Sequence, residues 1–523
     1  MTDKSGGIMT LKRMLVGVSA LNLLIVPVTS ASAQTTEKPG SDYVRCDGQP
    51  NNVTNGETAA RLLGAVTLLG LFAPRPESAD ASKRKVGAEG VAACSALLSG
   101  DGQEGNPARR LGLIMGRAIH QIEAKKYDAA LADVAMARRE ASAAGLTADP
   151  YFARSRGRSF DLVESAILVR MGRAEEARTV SLKNASAYQY SLFGLLGTPT
   201  YDDFNRESSP GEDQLNQWQT RLVPGLAGSQ ANRLELAGRF ADSARVRDAF
   251  VEFDAEHTPE TNLSTLIARA AVAHALAGNV AIAGERAKAA RANADKRKAD
   301  GKPERDVAEF VELMDLYAII ETAGSGDVKA ARRLFAARSQ WVGASLGSVL
   351  EVNRRLRTGA SPDELIGGLT RDSVQLWNEQ AEASRAAMLA KDSDNKSLFA
   401  LVPAARTAAA YASLSKNVWR TDKSKIVLKS KIDFTKSKME LMYLPYADAS
   451  LAMEAYVLHA ALIARSRGHE GFVFMPVLTD KIIAASFRTG NRGQKGFAPD
   501  LFISADDAIA KLSSVIPAPV KLN

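Results

Sequence analysis

From about Val91 to Trp419 the chain repeats one pattern: apolar and alanine residues recur at spacings of three and four, interrupted by glycine-rich or charged steps. That spacing is the signature of amphipathic helices. Within it, "IEAKKYDAALADVAMA", "LVRMGRAEEARTVSLKNA", "LELAGRFADSARVRDAF", "AHALAGNVAIAGERAKAA" and "ETAGSGDVKAARRLFAA" share an order of features. An apolar helix leads to a glycine or lysine, then a short polar step, then an alanine that opens a second helix. Glycine permits the tight turn and alanine lets two helices approach closely, so each segment is predicted to be a helical hairpin.

Beyond Trp419 the period changes. "KIVLKSKIDF" (Lys425 to Phe434) alternates charged and apolar residues as a half-buried strand does. "DASLAMEAYVLHAALIARSRG" reads as a long helix, "GFVFMPV" and "KIIAASF" as strands, and "SADDAIAKLSSVI" as a final helix with Ser504 and Asp507 in a capping-box arrangement. Strand, helix, strand, strand, helix describes a small α+β domain. The predicted fold class is therefore mainly α, an α-solenoid of helical hairpins followed by a small α+β C-terminal domain. The boundaries are 1–33, a leader; 34–90, an N-terminal extension and helix; 91–420, the hairpin array; and 421–523, the α+β domain.

The hairpins resemble tetratricopeptide (TPR) repeats, in which a small residue marks the first helix and alanines mark the close contacts of the second. Ala118, Tyr127, Ala130 and Ala137 match in the first hairpin, Ala174 and Ala177 in the second, Ala271, Ala283 and Ala290 in the fourth, and Ala331 and Phe335 in the fifth. The third, around Gly238 and Phe240, has Ser243 where alanine is expected. The stretch "VAACSALLSGDGQEGNPARRLGLIMGRAI", with Cys94, is similar to exported bacterial TPR proteins in which a cysteine-bearing helix leads into the first complete repeat. Intervals between turns are uneven and longer than the 34 residues typical of the family, and its tryptophan and most of its tyrosines are missing. An irregular helical bundle is the competing architecture. The segment 453–516 resembles a domain of small Gram-negative envelope lipoproteins, which implies an envelope location and transfers no catalytic residue.

If the repeat register holds, Met115, Ile119, Ile122, Leu162, Ala166 and Val169 line the concave face. All are apolar, and an apolar face of that extent calls for cover, either by later segments of the same chain or by a hydrophobic segment of a partner.

The first residues add a compartment. Lys12 and Arg13 precede an apolar run from Met14 to Val28, followed by small residues at Ala31 and Ala33. That order predicts a secretory signal cleaved after Ala33, and hence a periplasmic protein with no transmembrane span in the mature chain. A retained anchor helix is the rival reading. The apolar stretch from Ala59 to Ala73 is short for a span and is expected to be a buried helix. Only Cys46 and Cys94 occur, and in an oxidising compartment the simplest expectation is a disulfide between them.

The net charge of +8 is partly local. A basic run from Lys416 to Lys438 places Lys425, Lys429 and Lys431 on one strand face, and Arg488, Arg492 and Lys495 belong to the same domain. In an exported protein such a patch suits an anionic envelope surface rather than nucleic acid, although a charged edge strand that prevents aggregation explains it as well. "GNRGQKG" (490–496) is a flexible basic hairpin able to meet a phosphate or sulfate.

Candidate chemistry is sparse. Gly343, Ser345 and Gly347 spell G-x-S-x-G, but a nucleophile elbow needs a strand before the serine, and here an amphipathic helix precedes it. S-D-N at Ser393 and S-x-x-K at Ser413 occur in the reverse of their enzymatic order. The histidines, at 120, 257, 274, 459 and 469, lack zinc-ligand spacing, and no cofactor motif is present. The expected function is a non-enzymatic envelope scaffold that binds a protein or peptide. A serine hydrolase using Ser345 and a carrier of a small apolar ligand are the alternatives.

Overall fold

The computed structural model describes residues 40–51, 78–191, 195, 210–258, 263–302, 304, 306–338, 340–391, 395–412, 439–445, 449–478 and 482–516. The leader, the apolar stretch 59–73, and Lys425, Lys429 and Lys431 lie outside the described residues. Among the described residues the chain is mainly helical, with a small antiparallel sheet near its C-terminus. None of the described helices is long and apolar enough to cross a membrane.

Helices α1 (Asp42–Asp47) and α2 (Gly87–Leu98) precede the first hairpin and are joined by the Cys46–Cys94 disulfide. The five hairpins foreseen from sequence are all present. They are α3 (Pro107–Glu123) with α4 (Tyr127–Ala143), α5 (Arg158–Arg170) with α6 (Ala174–Ala187), and, after α7 (Pro210–Leu222), α8 (Ala227–Leu236) with α9 (Phe240–His257). Then come α10 (Ser264–Leu276) with α11 (Val280–Ala299), and α12 (Val307–Gly324) with α13 (Val328–Ala336). The turns carry left-handed residues, Lys125, Gly172, Gly238, Gly278 and Gly326. In the first four, the amide two residues past the helix C-cap donates back over the last turn: Lys126 to Gln121, Arg173 to Leu168, Arg239 to Leu234 and Asn279 to His274, at 2.7–2.9 Å. This is the Schellman wiring that glycine makes easy. The marker alanines Ala130, Ala137, Ala177, Ala283, Ala290 and Ala331 are all buried between helices. Ser243 is buried too, and its hydroxyl donates to Glu235 Oε1 at 2.6 Å, which explains why the third hairpin departs from alanine.

After α14 (Leu346–Arg357) and α15 (Ser373–Lys391), the chain turns back through α16 (Asn395–Phe399) to the first hairpin. It then enters the C-terminal region. There β1 (Glu440–Pro445), β2 (Gly471–Leu478), β3 (Ile482–Gly490) and the two-residue β4 (Ile503–Ser504) form an antiparallel sheet in the order β1-β3-β2-β4. Phe474 lies opposite Phe487 across β2 and β3. The alternating run 425–434 lies outside the described residues, and the first described strand is 440–445. Helix α17 (Ala449–Ser466) is buried almost all round, because one side meets the sheet and the other meets Leu215 and Leu222 of α7 and Tyr411. Helix α18 (Ala505–Leu512) opens at Ser504, whose hydroxyl accepts from the Asp507 amide at 3.4 Å.

Candidate functional site: an occupied groove and its surroundings

The residues expected to line a concave face do not form an open groove. Met115, Ile119, Ile122, Leu162 and Val169 are buried, with Ala166 beside them. Met115, Ile119 and Ile122 belong to the apolar core of the first hairpins, which α1, α2 and a later segment of the same chain all enter, whereas Val169 packs in a separate cluster with Leu168 and Ala177. Leu398 enters that core at 2% exposure, and Phe399, Leu401, Val402 and Ala405 pack against it.

The covering strap is held at specific points. The Phe399 ring lies 5.3 Å from the His120 ring, and the Arg84 guanidinium sits 4.1 Å above it. Farther along, no regular structure spans 403–407, so the backbone must find partners elsewhere. Arg156 Nε donates to the Pro403 carbonyl at 2.7 Å, and the Arg406 amide donates to Ser155 Oγ at 2.9 Å. Both partners come from a π-helical turn, Ala153–Gly157, set into the start of α5. Such turns widen a helix and are frequent at functional sites. Burial drives the Arg156 pKa down to about 10, with Asp47 opposing and Arg109 reinforcing the shift. Its Nη1 has no hydrogen-bond partner. The strap ends where Tyr411 meets the Tyr151 ring, at 5.0 Å. Neither Arg156 nor Ser155 was singled out from sequence, because both sit in an ordinary-looking helical stretch, "ARSRGRS".

The basic residues of the last domain divide. Lys495 pairs with Glu256 at 2.8 Å, and Arg488 lies 3.9 Å from the same carboxylate with its guanidinium over the Phe497 ring. These two hold the sheet to α9 and are not a free cationic face. The Arg492 guanidinium forms no ion pair among the described residues and stacks on Phe502 at 5.3 Å, while its backbone amide donates to Glu470 Oε2 at 3.0 Å.

Ser345 is the N-cap of α14, accepting from the Ser348 amide at 3.2 Å. Its hydroxyl donates to Glu235, a buried carboxylate that also accepts from Ser348 Oγ, Ser243 Oγ and Arg247 Nε. No strand delivers this serine. The turn before it is shaped by Glu312, whose carboxylate accepts from the amides of Val342, Gly343 and Ala344 at 2.7–3.1 Å. Burial alone would raise the Glu235 pKa, but Arg247 and the hydroxyls of Ser243 and Ser345 together bring it below the ordinary carboxylate range. A carboxylate so committed is a poor general base.

His120, His257 and His274 are engaged by hydrogen bonds within the fold. His120 bonds the Cys46 carbonyl at 2.7 Å and Glu123 at 2.9 Å, His274 bonds Asp248, and His257 bonds the Gly496 carbonyl. Among the described residues no three His, Cys, Asp or Glu side chains gather where a metal ion could bind. Comparison with family models, curated proteins and solved structures returns no match for this chain.

Proposed function

We propose that this chain is an exported, non-enzymatic scaffold of TPR-like hairpins that binds an extended apolar segment of a protein partner in the groove its own strap occupies. The observation that carries this reading is the strap itself. Residues 398–406 lie on the first hairpins as a peptide ligand would, with side chains anchored in apolar space and backbone held by Arg156 and Ser155. Apolar anchors plus side-chain bonds to the ligand backbone are a common way to bind extended peptides without strict sequence demands. Export is supported by the N-terminal order of basic, apolar and small residues, and the disulfide is compatible with it.

The strap is tethered, so it competes at a local concentration on the order of millimolar. A partner segment therefore binds well only when the strap is released. The test uses a labelled peptide spanning 395–411 and fluorescence anisotropy. A Leu398→Asp/Phe399→Asp variant, shown by circular dichroism to keep its helical content, is expected to bind the peptide saturably, and the native chain much more weakly. Absence of binding to the folded variant, or equal binding to both proteins, overturns the reading.

A further inference from the structure

Between α7, the end of α6 and the C-terminal sheet lies a cavity of about 190 Å³, lined chiefly by Tyr190, Trp218, Arg221, Arg492, Phe502 and Asp507. We infer that it binds a small monoanionic acid whose carboxylate spans Arg221 and Arg492 and whose flat apolar body rests on the Trp218 and Tyr190 rings. The cavity shares no lining residue with the strap groove.

The arginines carry the first half of the inference. Arg221 is only partly exposed, its Nε is buried without a hydrogen-bond partner, and no carboxylate pairs with it among the described residues. Arg492 faces the same space with its guanidinium stacked on Phe502 and outside ion-pair distance of any described carboxylate, while its backbone amide donates to Glu470 Oε2 at 3.0 Å. Burial, then the like charge of Arg492, lowers the Arg221 pKa against the pull of Tyr190, Asp500 and Asp507. Two guanidinium groups of like charge facing one cleft, the Arg221 one partly buried and without an ion pair, favour an anion placed between them.

The nearby acids do not fill that role: among the described residues none pairs with either guanidinium, and Glu470 is engaged by the Arg492 amide. Asp500 pairs with Arg245. Asp507 accepts from the Tyr190 hydroxyl and from Gln189 Nε2 at 2.9 Å, and pairs with Lys511 at 2.7 Å. A planar carboxylate offers two oxygens to two guanidinium forks, the geometry arginine matches best.

The walls and the size give the second half. Trp218, Tyr190 and Phe502 are the aromatic members of the lining, suited to a flat ring. At about 190 Å³ the cavity is smaller than the roughly 300–1,000 Å³ of sites for drug-sized ligands, so it holds one ring and its acid group. Asp507, facing the same space, disfavours a phosphate dianion more than a monoanion.

Isothermal titration of the full chain with benzoate tests this, with benzyl alcohol, acetate and inorganic phosphate as comparators. Benzoate should bind saturably and benzyl alcohol should not. Phosphate should bind more weakly than benzoate. Arg221→Gln should weaken benzoate by about tenfold or more, the usual effect of removing a hydrogen bond to a charged group. Trp218→Leu should weaken benzoate while leaving acetate unchanged. Arg492 is exposed, so Arg492→Gln is expected to fold, checked by circular dichroism, and should give a similar loss should Arg221→Gln fail to fold. The inference is overturned if benzoate gives no binding heat, if benzyl alcohol binds as well, if phosphate binds more tightly, or if the folded arginine variants keep native affinity.

Discussion

At the scale of residues, the G-x-S-x-G stretch is explained by packing and capping. A Cβ on Gly347 would stand 2.4 Å from the Glu235 carbonyl carbon, so only glycine lets α14 lie this close to α8. Gly347→Ala is expected to destabilise the protein by about 1–3 kcal/mol, measured by urea unfolding. Ser345→Ala should cost about 0.5–2 kcal/mol as a lost cap and leave serine-directed labelling unchanged. Glu235 gives a pH dependence with a definite sign. Its pKa is lower folded than unfolded, so its contribution is complete above the ordinary carboxylate range and is lost as pH falls through the folded value. Glu235→Gln should lower stability at neutral pH by roughly 3–5 kcal/mol, because Arg247 loses its buried partner, and should flatten the acid limb of the stability curve. The sequence foretold a helix-to-helix turn here. It could not foretell Glu235, because its partnership with Ser345 joins residues 110 positions apart.

Among the elements, the hairpins were legible because their determinants are local: a left-handed residue for the turn and alanines at the close contacts. The disulfide followed from there being two cysteines in all. Its removal should cost about 4 kcal/mol by the loop-entropy argument for a separation of 48 residues, measured as the stability difference with and without reductant. The strap was not legible. "LFALVP" is too short to show a period, and its burial comes from residues nearly three hundred positions earlier, so sequence left open whether the groove's cover was internal or a partner. The pocket left a weak trace: Trp218 and Arg221, three apart on α7, share a helical face in an otherwise polar segment. Helix α17 was legible as a long helix, but its two neighbours, the sheet and α7, were not.

Over the whole molecule, the C-terminal sheet and its helices are part of one packed body with the hairpins. Met439, Val473, Phe497, Leu501 and Phe502 share an apolar cluster with Ala227, Leu234, Val246 and Phe253. Arg154 pairs at 2.7 Å with Glu454, which is buried on α17. Arg154→Ala leaves that carboxylate without its cation and should destabilise the protein by roughly 3–5 kcal/mol, measured by urea unfolding.

The central claim is that the strap can leave its groove while the hairpins stay folded. Native-state hydrogen exchange measures this directly, since local openings are distinguished from global unfolding by their free energies. The amides of 398–406, including that of Arg406, are expected to exchange through a local opening with low denaturant dependence while α3, α4 and α5 remain protected. If those amides exchange only with global unfolding, the strap is permanent core, the groove is never offered to a partner, and the proposed function is contradicted.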